Sequence, residues 1–151
     1  MSIYITKLID KNYRSLKDTT INFKEHLNII VGDNECGKSS LLEAVNLVLC
    51  GQINGRNIQS ELHPFLFNKH VVEQYIKALR EGKRPLPPKI VIEAYLNDHE
   101  SLARLRGTIN SSRENIPGVS LSIELDDSGL HWDVGKNKFQ KMSWYWSKWQ
   151  K

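Results

Sequence analysis

The sequence predicts an α/β domain in which a glycine-rich loop joins a buried strand to a helix, and three observations support this prediction. Residues 27–31 form an apolar run that ends at a glycine, which is typical of a strand buried on both faces. Residues 38–50 repeat apolar side chains with a helical period. Residues 119–125 alternate apolar and polar side chains, as half-exposed antiparallel strands do. The 151 residues, 40% of them hydrophobic, fit one ordinary globular domain.

The first half of the chain is predicted to contain a β-hairpin and then the strand–loop–helix unit. β-Branched and aromatic residues at 2–9 predict a strand, and residues 15–23 supply its hairpin partner after a polar break. The apolar run at 27–31 follows as the buried strand. The helix over Lys38–Cys50 carries a broad apolar stripe and ends before Gly51, because glycine is favoured just after a helix.

The middle of the chain is predicted to form a loop, a second helix and a strand. Residues 51–60 are polar and loop-like. Asn68 is a good cap for a helix that ends near Gly82. The proline-rich stretch at 84–88 is a stiff connector to a β-prone run at 89–96.

The last part of the body is predicted to be mainly antiparallel β structure. Residues 100–106 predict a short helix, and a polar stretch follows at 110–118. The alternating strand at 119–125 then turns at 126–129 into a second strand at 130–134. We therefore expect a hairpin in this region and no second parallel strand unit.

The basic charge of the chain lies in its last seventeen residues. The whole sequence has 21 Lys and Arg against 17 Asp and Glu, and residues 135–151 hold five lysines with no acid, which leaves residues 1–134 at −1. We therefore divide the chain into a domain at 1–134 and a basic, Trp-rich tail at 135–151. The aromatic spacing in the tail fits either a helix or a strand. The tail could stack on bases and neutralise phosphates, or pack on the body or on a partner.

Cysteine usage and the N-terminus point to one cellular setting. Two cysteines exclude a disulfide scaffold, and the N-terminus has no apolar stretch of signal-peptide or membrane-spanning length. We therefore expect a reduced, cytoplasmic location.

Residues 32–39, GDNECGKS, match the phosphate-binding pattern G-x-x-x-x-G-K-[ST], and they lie between the predicted strand and helix. Gly32 and Gly37 permit the tight turn through which backbone N–H groups converge on phosphate oxygens. Lys38 would reach the β and γ phosphates, and the Ser39 hydroxyl would be a ligand of Mg²⁺. Ser40 can add a hydroxyl bond near the α phosphate. The motif predicts binding of a nucleoside triphosphate with Mg²⁺.

The residues around this loop resemble a known group of ATPases. The element KNYRSL, at residues 11–16, and the run LNIIVGDNECGKSSLLEAVNLVL resemble the ABC-type ATPase heads of SMC, RecF and OLD proteins. The resemblance covers residues 3 to 50 closely. The loop, proline-rich connector and strand that follow look most like the N-terminal ATPase of OLD-family ATP-dependent endonucleases.

This resemblance implies an ATP-binding P-loop NTPase fold, with ATP and Mg²⁺ enclosed when two heads form a homodimer or a larger assembly, and with DNA as the object of the complete system. It implies a role in DNA repair or defence in which ATP regulates a DNA nuclease, and no contact with membranes. Asn34 matches an asparagine of the family loop, and Arg14 is the position expected to approach the nucleotide from the hairpin. The candidate nucleotide-binding residues are Gly32, Asn34, Glu35, Cys36, Gly37, Lys38, Ser39, Ser40 and Arg14.

Several parts of a complete head have no match in the sequence. We find no glutamine loop after a strand, no serine–glycine signature and no carboxylate-rich nuclease domain. The only candidate for an acidic Walker B strand is the segment at 121–127, whose polar residues alternate with apolar ones and so favour the hairpin. We therefore assign no catalytic residue.

Two other functions remain open from the sequence. The chain could be a small, self-contained P-loop kinase or GTPase, although the guanine-reading N-K-x-D pattern is missing from the sequence. It could also be a non-catalytic interaction module in which the loop is structural and the tail binds a partner.

Overall fold

A computed structural model of the chain describes residues 2–125 and 142–148. The strands are β1 (Ile5–Lys11), β2 (Asp18–Asn22), β3 (Gln52–Ile53), β4 (Arg56–Asn57), β5 (Ile90–Leu96), β6 (Arg106–Gly107), β7 (Ile116–Leu125) and β8 (Met142–Lys148). The helices are α1 (Lys38–Cys50), α2 (Ile58–Glu61) and α3 (Lys69–Arg80), with 3₁₀ turns at Pro64–Leu66 and Glu100–Leu105.

Within the described residues, the main sheet has six strands, and each pair of neighbouring strands is antiparallel. Its order is β2-β1-β5-β7-β6, and β8 also pairs with β7. The predicted N-terminal hairpin is confirmed by the pairing of β1 with β2, from Lys7 opposite Asn22 to Lys11 opposite Asp18. Because β7 is antiparallel to both β5 and β8, it is not the parallel acidic strand of a Walker B motif.

One face of the sheet forms the hydrophobic core with α1. Successive side chains of a strand point to opposite faces, so alternate residues of β5 and β7 share this face. The buried sheet side chains include Leu8, Ile90, Ile92, Leu121 and Ile123, and α1 contributes Leu41, Ala44, Leu47 and Val48. The alternation at 119–125 is thereby confirmed, since Val119, Leu121 and Ile123 are buried and the serines between them are not.

The predicted strand at 27–31 is wrong. These residues have no strand conformation, and Leu27, Ile29 and Val31 are 72%, 75% and 83% exposed. A strand buried on both faces needs a neighbour on each side. In the described part of the chain, β1, β5 and β7 already have antiparallel neighbours on both edges, so the segment has no parallel strand to pair with. The apolar pattern of residues 27–31 indicates a preference for burial, but it does not determine whether another strand lies beside them.

The helix predictions are confirmed at their boundaries. α1 spans Lys38–Cys50, and Gly51 closes it with φ 67° and an N–H bond to the carbonyl of Leu47. Asn68 caps α3, because its side-chain oxygen accepts the N–H of His70. The segment 51–60 is more ordered than the predicted loop: it forms the β3–β4 hairpin and the single turn α2.

The basic tail joins the sheet in the part that the structure describes. β8 pairs with β7 from Val119 opposite Lys148 to Leu125 opposite Met142, so the tail forms a strand here rather than a helix. The predicted turn at 126–129 and strand at 130–134 lie outside the described residues. Among the helices that the structure describes, none has the length and apolar character needed to cross a membrane.

The contrast between the core and the apolar segment at 27–31 gives a stability prediction. Ile92 is fully buried, and Ile92→Ala should lower the free energy of unfolding by about 2–5 kcal/mol. Ile29→Ala is the matched control, and because this side chain is exposed it should change stability by less than about 0.5 kcal/mol. Denaturant unfolding of both variants measures the difference. Equal costs would show that Ile29 is buried in solution.

Candidate nucleotide-binding site

The site is built around the N-terminus of α1, where the glycine-rich loop ends. The capping residue is Gly37, in a left-handed conformation with φ 99°, and no side chain among the described residues caps the helix. The first turn, KSS, carries no acidic residue. Backbone N–H groups at the start of a helix have no partner within the helix and carry a partial positive charge. This helix end is therefore suited to an anion.

Gly37 is required both by its backbone conformation and by the space around it. A Cβ atom added to Gly37 would lie 2.9 Å from Leu16 Cδ2 and 3.2 Å from Ser15 Oγ. The N-terminal hairpin therefore packs directly against the start of α1. A larger residue would have to push the hairpin away and adopt a strained backbone conformation.

Lys38 folds over the loop that precedes it. Its Nζ donates hydrogen bonds to the carbonyl oxygens of Gly32 and Asp33, the latter at 2.7 Å, and lies 3.7 Å from Cys36 Sγ. The loop is tightly closed, since a Cβ atom on Gly32 would lie 2.5 Å from Cys36 Sγ. A phosphate oxygen is a stronger acceptor for an ammonium group than a carbonyl oxygen is. In the loop, the Lys38 ammonium group is bonded to neutral carbonyl oxygens. A bound phosphate could take their place as its acceptor.

A cavity of about 300 Å³ opens over this loop, and most of the predicted binding residues line it. The residues lining it are Ser15, Asp33, Asn34, Glu35, Gly37, Lys38, Ser39 and Ser40. Of the nine predicted nucleotide-binding residues, six are in this lining, whereas Gly32 and Cys36 contact Lys38 in the loop itself.

The charges of this cavity bear on the need for a metal ion. Asp33 and Glu35 line it together with a single cation, Lys38. A triphosphate would add further negative charge beside these carboxylates, and a divalent cation would offset that repulsion. The Ser39 hydroxyl, in the first turn of α1, is the protein oxygen suited to hold Mg²⁺ alongside phosphate oxygens.

Ser15 lines the loop cavity although it lies outside the phosphate-binding motif. It comes from the turn of the N-terminal hairpin, and its Oγ lies 2.9 Å from the Oγ of Ser40 on α1. Its position directly after Arg14 in the KNYRSL element was the only available signal. The hydroxyl contact joins the hairpin to the first turn of the helix.

Arg14 does not line the loop cavity; its side chain turns to α1. Its Nε lies 2.5 Å from Glu43 Oε1, and the Tyr13 hydroxyl donates to the same carboxylate oxygen. Burial, and then the hydrogen bond to Glu43, raises the pKa of the Tyr13 hydroxyl well above its usual range, so this hydroxyl stays protonated as a donor. Glu43 therefore locks the hairpin turn to the second turn of α1.

The turn that carries Arg14 is held from three sides. Asn12 and Arg14 both have positive φ, 67° and 48°, which is uncommon for residues other than glycine. The N–H of Arg14 donates to the carbonyl of Leu66 at 2.8 Å. The carbonyl of Arg14 accepts a hydrogen bond from Asn68 Nδ2 at 2.8 Å. The hairpin, α1 and the start of α3 are thus fixed relative to one another.

Asp10 is a buried carboxyl group at the base of this turn. Its Oδ1 accepts the N–H of Tyr13 at 3.3 Å, while its Oδ2 has no hydrogen-bond partner among the described residues. Burial raises the pKa of Asp10 from 3.8 to about 7, and the backbone bond from Tyr13 only partly opposes this. The carboxyl therefore takes up its proton far closer to neutral pH than an exposed aspartate does.

The hairpin, the glycine-rich loop with α1 and the antiparallel sheet define an α/β P-loop domain of the ATPase-head type. The chain belongs to a family of AAA domains, which matches residues 7–138. The resemblance to RecF and SMC-like heads is confirmed at this level, and the closer resemblance to OLD proteins stays a prediction.

Curated proteins similar to this chain include DNA replication and repair proteins named RecF. The protein of Acetivibrio thermocellus is 42% identical over 60 residues, which cover 40% of this chain and 16% of the relative. The protein of Halothermothrix orenii is 30% identical over 113 residues, covering 72% of this chain and 30% of the relative. The chain thus spans less than a third of these relatives. A solved structure of the recombination mediator protein RecF-ATP is similar at 19% identity and a TM-score of 0.49, over 85% of this chain and 26% of that one.

The contact of Glu43 with the hairpin gives a prediction for stability. Glu43→Ala should lower the free energy of unfolding by about 1–3 kcal/mol, because the buried Tyr13 hydroxyl loses its acceptor. Glu73→Ala is the control, since Glu73 forms only an exposed ion pair with Lys69 and should cost less than about 0.5 kcal/mol. Thermal or denaturant unfolding compares the two. A Glu43 variant as stable as the Glu73 variant would show that the contacts of Glu43 with Tyr13 and Arg14 do not stabilise the fold.

The buried Asp10 gives a prediction for pH dependence. Since its folded-state pKa lies above that of the unfolded chain, folding takes up a proton between pH 3.8 and about 7. The free energy of unfolding of the wild type should fall as the pH rises through this window, and Asp10→Asn should remove that part of the slope. The control is Asp18→Asn, at an exposed aspartate of the same hairpin. Parallel wild-type and Asp10→Asn curves between pH 5 and 8 would show that Asp10 does not titrate there.

Proposed function

We propose that this chain is the ATP-binding part of a RecF- and SMC-like ATPase that acts in DNA processing. The observation that carries the proposal is the uncapped N-terminus of α1, with Lys38 held over the closed loop that precedes it. Three features favour a phosphate chain at this point: helix-end N–H groups, an ammonium group and two serine hydroxyls. The names of the RecF relatives support DNA as the object of the full system.

In this proposal, different groups of the loop and of α1 contact the phosphates and the metal ion. The N–H groups of the loop and of the first turn of α1 bind phosphate oxygens, and Lys38 places a positive charge beside them. Ser39 holds Mg²⁺, which supplies Lewis-acid and charge-neutralising chemistry at the phosphates. Asn34 and Glu35 also line the cavity.

We propose that hydrolysis requires more than the described part of this chain. The described residues bring no acidic strand to the loop, because β7 lies in an antiparallel sheet and pairs with β5 and β8. We therefore assign no catalytic residue. A homodimer or larger assembly would complete the site, and we place the protein in the cytoplasm, acting on DNA.

A finer proposal concerns the nuclease. The resemblance of the region after α1 to OLD-family endonucleases suggests that ATP binding here regulates cleavage of DNA in repair or defence. The alternatives are a self-contained kinase or GTPase and a non-catalytic interaction module. The antiparallel second half argues against a complete kinase or GTPase, since such folds need further parallel strands beside the loop. Competition between ATP and GTP, with a search for phosphoryl transfer, separates these alternatives.

The central binding prediction concerns Lys38. Wild-type protein should bind ATP in the presence of millimolar Mg²⁺, and Lys38→Ala should reduce the affinity at least tenfold, because the ammonium group contacts the phosphates. Calorimetric titration measures both, with and without Mg²⁺. Lys77→Ala is the control, because Lys77 lies on α3 and outside the loop cavity. Equal affinity of the wild type and Lys38→Ala for ATP would show that the loop does not bind the phosphates of ATP.

A further inference from the structure

A polar cavity lies on the face of the sheet that points away from α1. It has a volume of about 610 Å³, and it is lined by residues of β5, of β7 and of the segment at 108–113. Hydroxyl groups line it at Thr108, Ser111, Ser120 and Ser122. The two serines of β7 alternate with buried apolar residues of the same strand, so they belong to the face opposite the core. The cavity shares no lining residue with the loop cavity.

Cations enter this cavity from two sides. Lys11 lies opposite Val91 in the pairing of β1 with β5, and Lys89 is two residues before Val91, so the two lysines stand at the same end of the cavity. Arg113 comes from the segment at 108–113. Lys89 is ion-paired with Glu124, whereas Lys11 and Arg113 form no ion pair within the part of the chain that the structure describes.

The turn that presents Arg113 is held by buried groups of β5. Glu93 is buried, and its carboxylate accepts the N–H and, at 3.0 Å, the hydroxyl of Ser111. The Tyr95 hydroxyl accepts the N–H of Ser112 at 3.2 Å. Arg113 itself has a φ of 55°, and non-glycine residues in this left-handed conformation are concentrated at functional sites. The arginine is therefore presented from a fixed backbone.

The charge of Glu93, which also lines the cavity, is already satisfied by the fold. Its Oε1 accepts the Ser111 hydroxyl, and its Oε2 accepts the Tyr95 hydroxyl at 2.8 Å. The unpaired charges at the cavity are thus those of Lys11 and Arg113. Ammonium and guanidinium groups form their strongest hydrogen bonds with anionic oxygens. An anion with charged groups at two ends would meet a cation at each side of the cavity.

The size and the lining of the cavity favour a small phosphorylated ligand over a nucleic acid. Small-molecule sites commonly have volumes of roughly 300–1,000 Å³. Single-stranded nucleic acids stack their bases on aromatic side chains, and none is found among the described lining residues. Duplex DNA is bound by large, strongly positive surfaces. Residues 1–134 have 16 bases and 17 acids and so lack such a surplus of charge.

We propose that this cavity binds a small ligand that carries two or more phosphate groups on a hydroxyl-bearing scaffold. Arg113 and Lys11 contact different phosphates, and the hydroxyls of Thr108 and Ser122 bind the scaffold between them. The guanidinium fork of Arg113 suits two oxygens of one phosphate. This site is separate from the nucleotide at the loop, so the inference goes beyond the proposed function and does not depend on it.

The test uses fructose 1,6-bisphosphate as the probe, because it has two phosphates and free hydroxyls but no base. Calorimetric titration without Mg²⁺ should show saturable binding to the wild type, and fructose should not bind. Arg113→Asn removes the charge and tolerates the left-handed backbone, and it should weaken binding about tenfold. Arg104→Asn, at an exposed arginine outside the cavity, is the matched control and should have no effect. Lys11→Gln is a second variant, which tests the other side of the cavity.

Three results would overturn the inference. The first is the absence of saturable binding by the wild type, and the second is equal affinity of the Arg113→Asn and Arg104→Asn variants with no effect of Lys11→Gln. The third is tighter, Arg113-dependent binding of a short thymidine oligonucleotide, which would assign the surface to nucleic acid. Probe binding should be the same in Lys38→Ala as in the wild type. If it is lost there and unaffected by Arg113→Asn, the phosphates lie at the loop, so this inference fails and the proposed function stands.

Discussion

The orientation of the α1 N-terminus is the constraint on which the rest of the site depends. Gly37 starts the helix in a left-handed conformation, and Leu16 and Ser15 of the hairpin pack where its side chain would be. The buried face of α1 then fixes the helix on the sheet through Leu41, Ala44 and the residues that follow. The helix-end N–H groups are thus aimed by tertiary packing before any ligand arrives. Such preorganisation lowers the cost of ordering the site on binding.

The hairpin turn is fixed by one network of side-chain contacts. Glu43 of α1 contacts Tyr13 and Arg14, and Asn68 connects the same turn to the start of α3. This network places Ser15 between the polar loop cavity and an apolar cavity beside Phe65. Two surfaces of opposite chemistry are therefore held at a fixed spacing. Movement of the hairpin would disturb both at once.

The sequence patterns that are local in origin predicted the structure well. The helical period of α1 with Gly51 after it, the Asn68 cap and the alternation in β7 each depend on near neighbours in the chain. The apolar run at 27–31 misled because strand pairing depends on distant segments, and here the sheet positions are taken by antiparallel strands. Within the site, the motif identified the loop residues. It could not show that Arg14 turns to Glu43, or that Ser15 lines the loop cavity, because these contacts arise only when the hairpin meets α1 in space.

We propose that the loop and the first turn of α1 form an anion site oriented by the fold. The most direct measurement is a titration of ¹⁵N-labelled protein with inorganic triphosphate and Mg²⁺, followed through the backbone amide resonances. We expect the largest shifts at the N–H groups of Gly37, Lys38, Ser39 and Ser40, because these groups would donate to phosphate oxygens. Saturable binding that shifts amides elsewhere and leaves these four unchanged would contradict it.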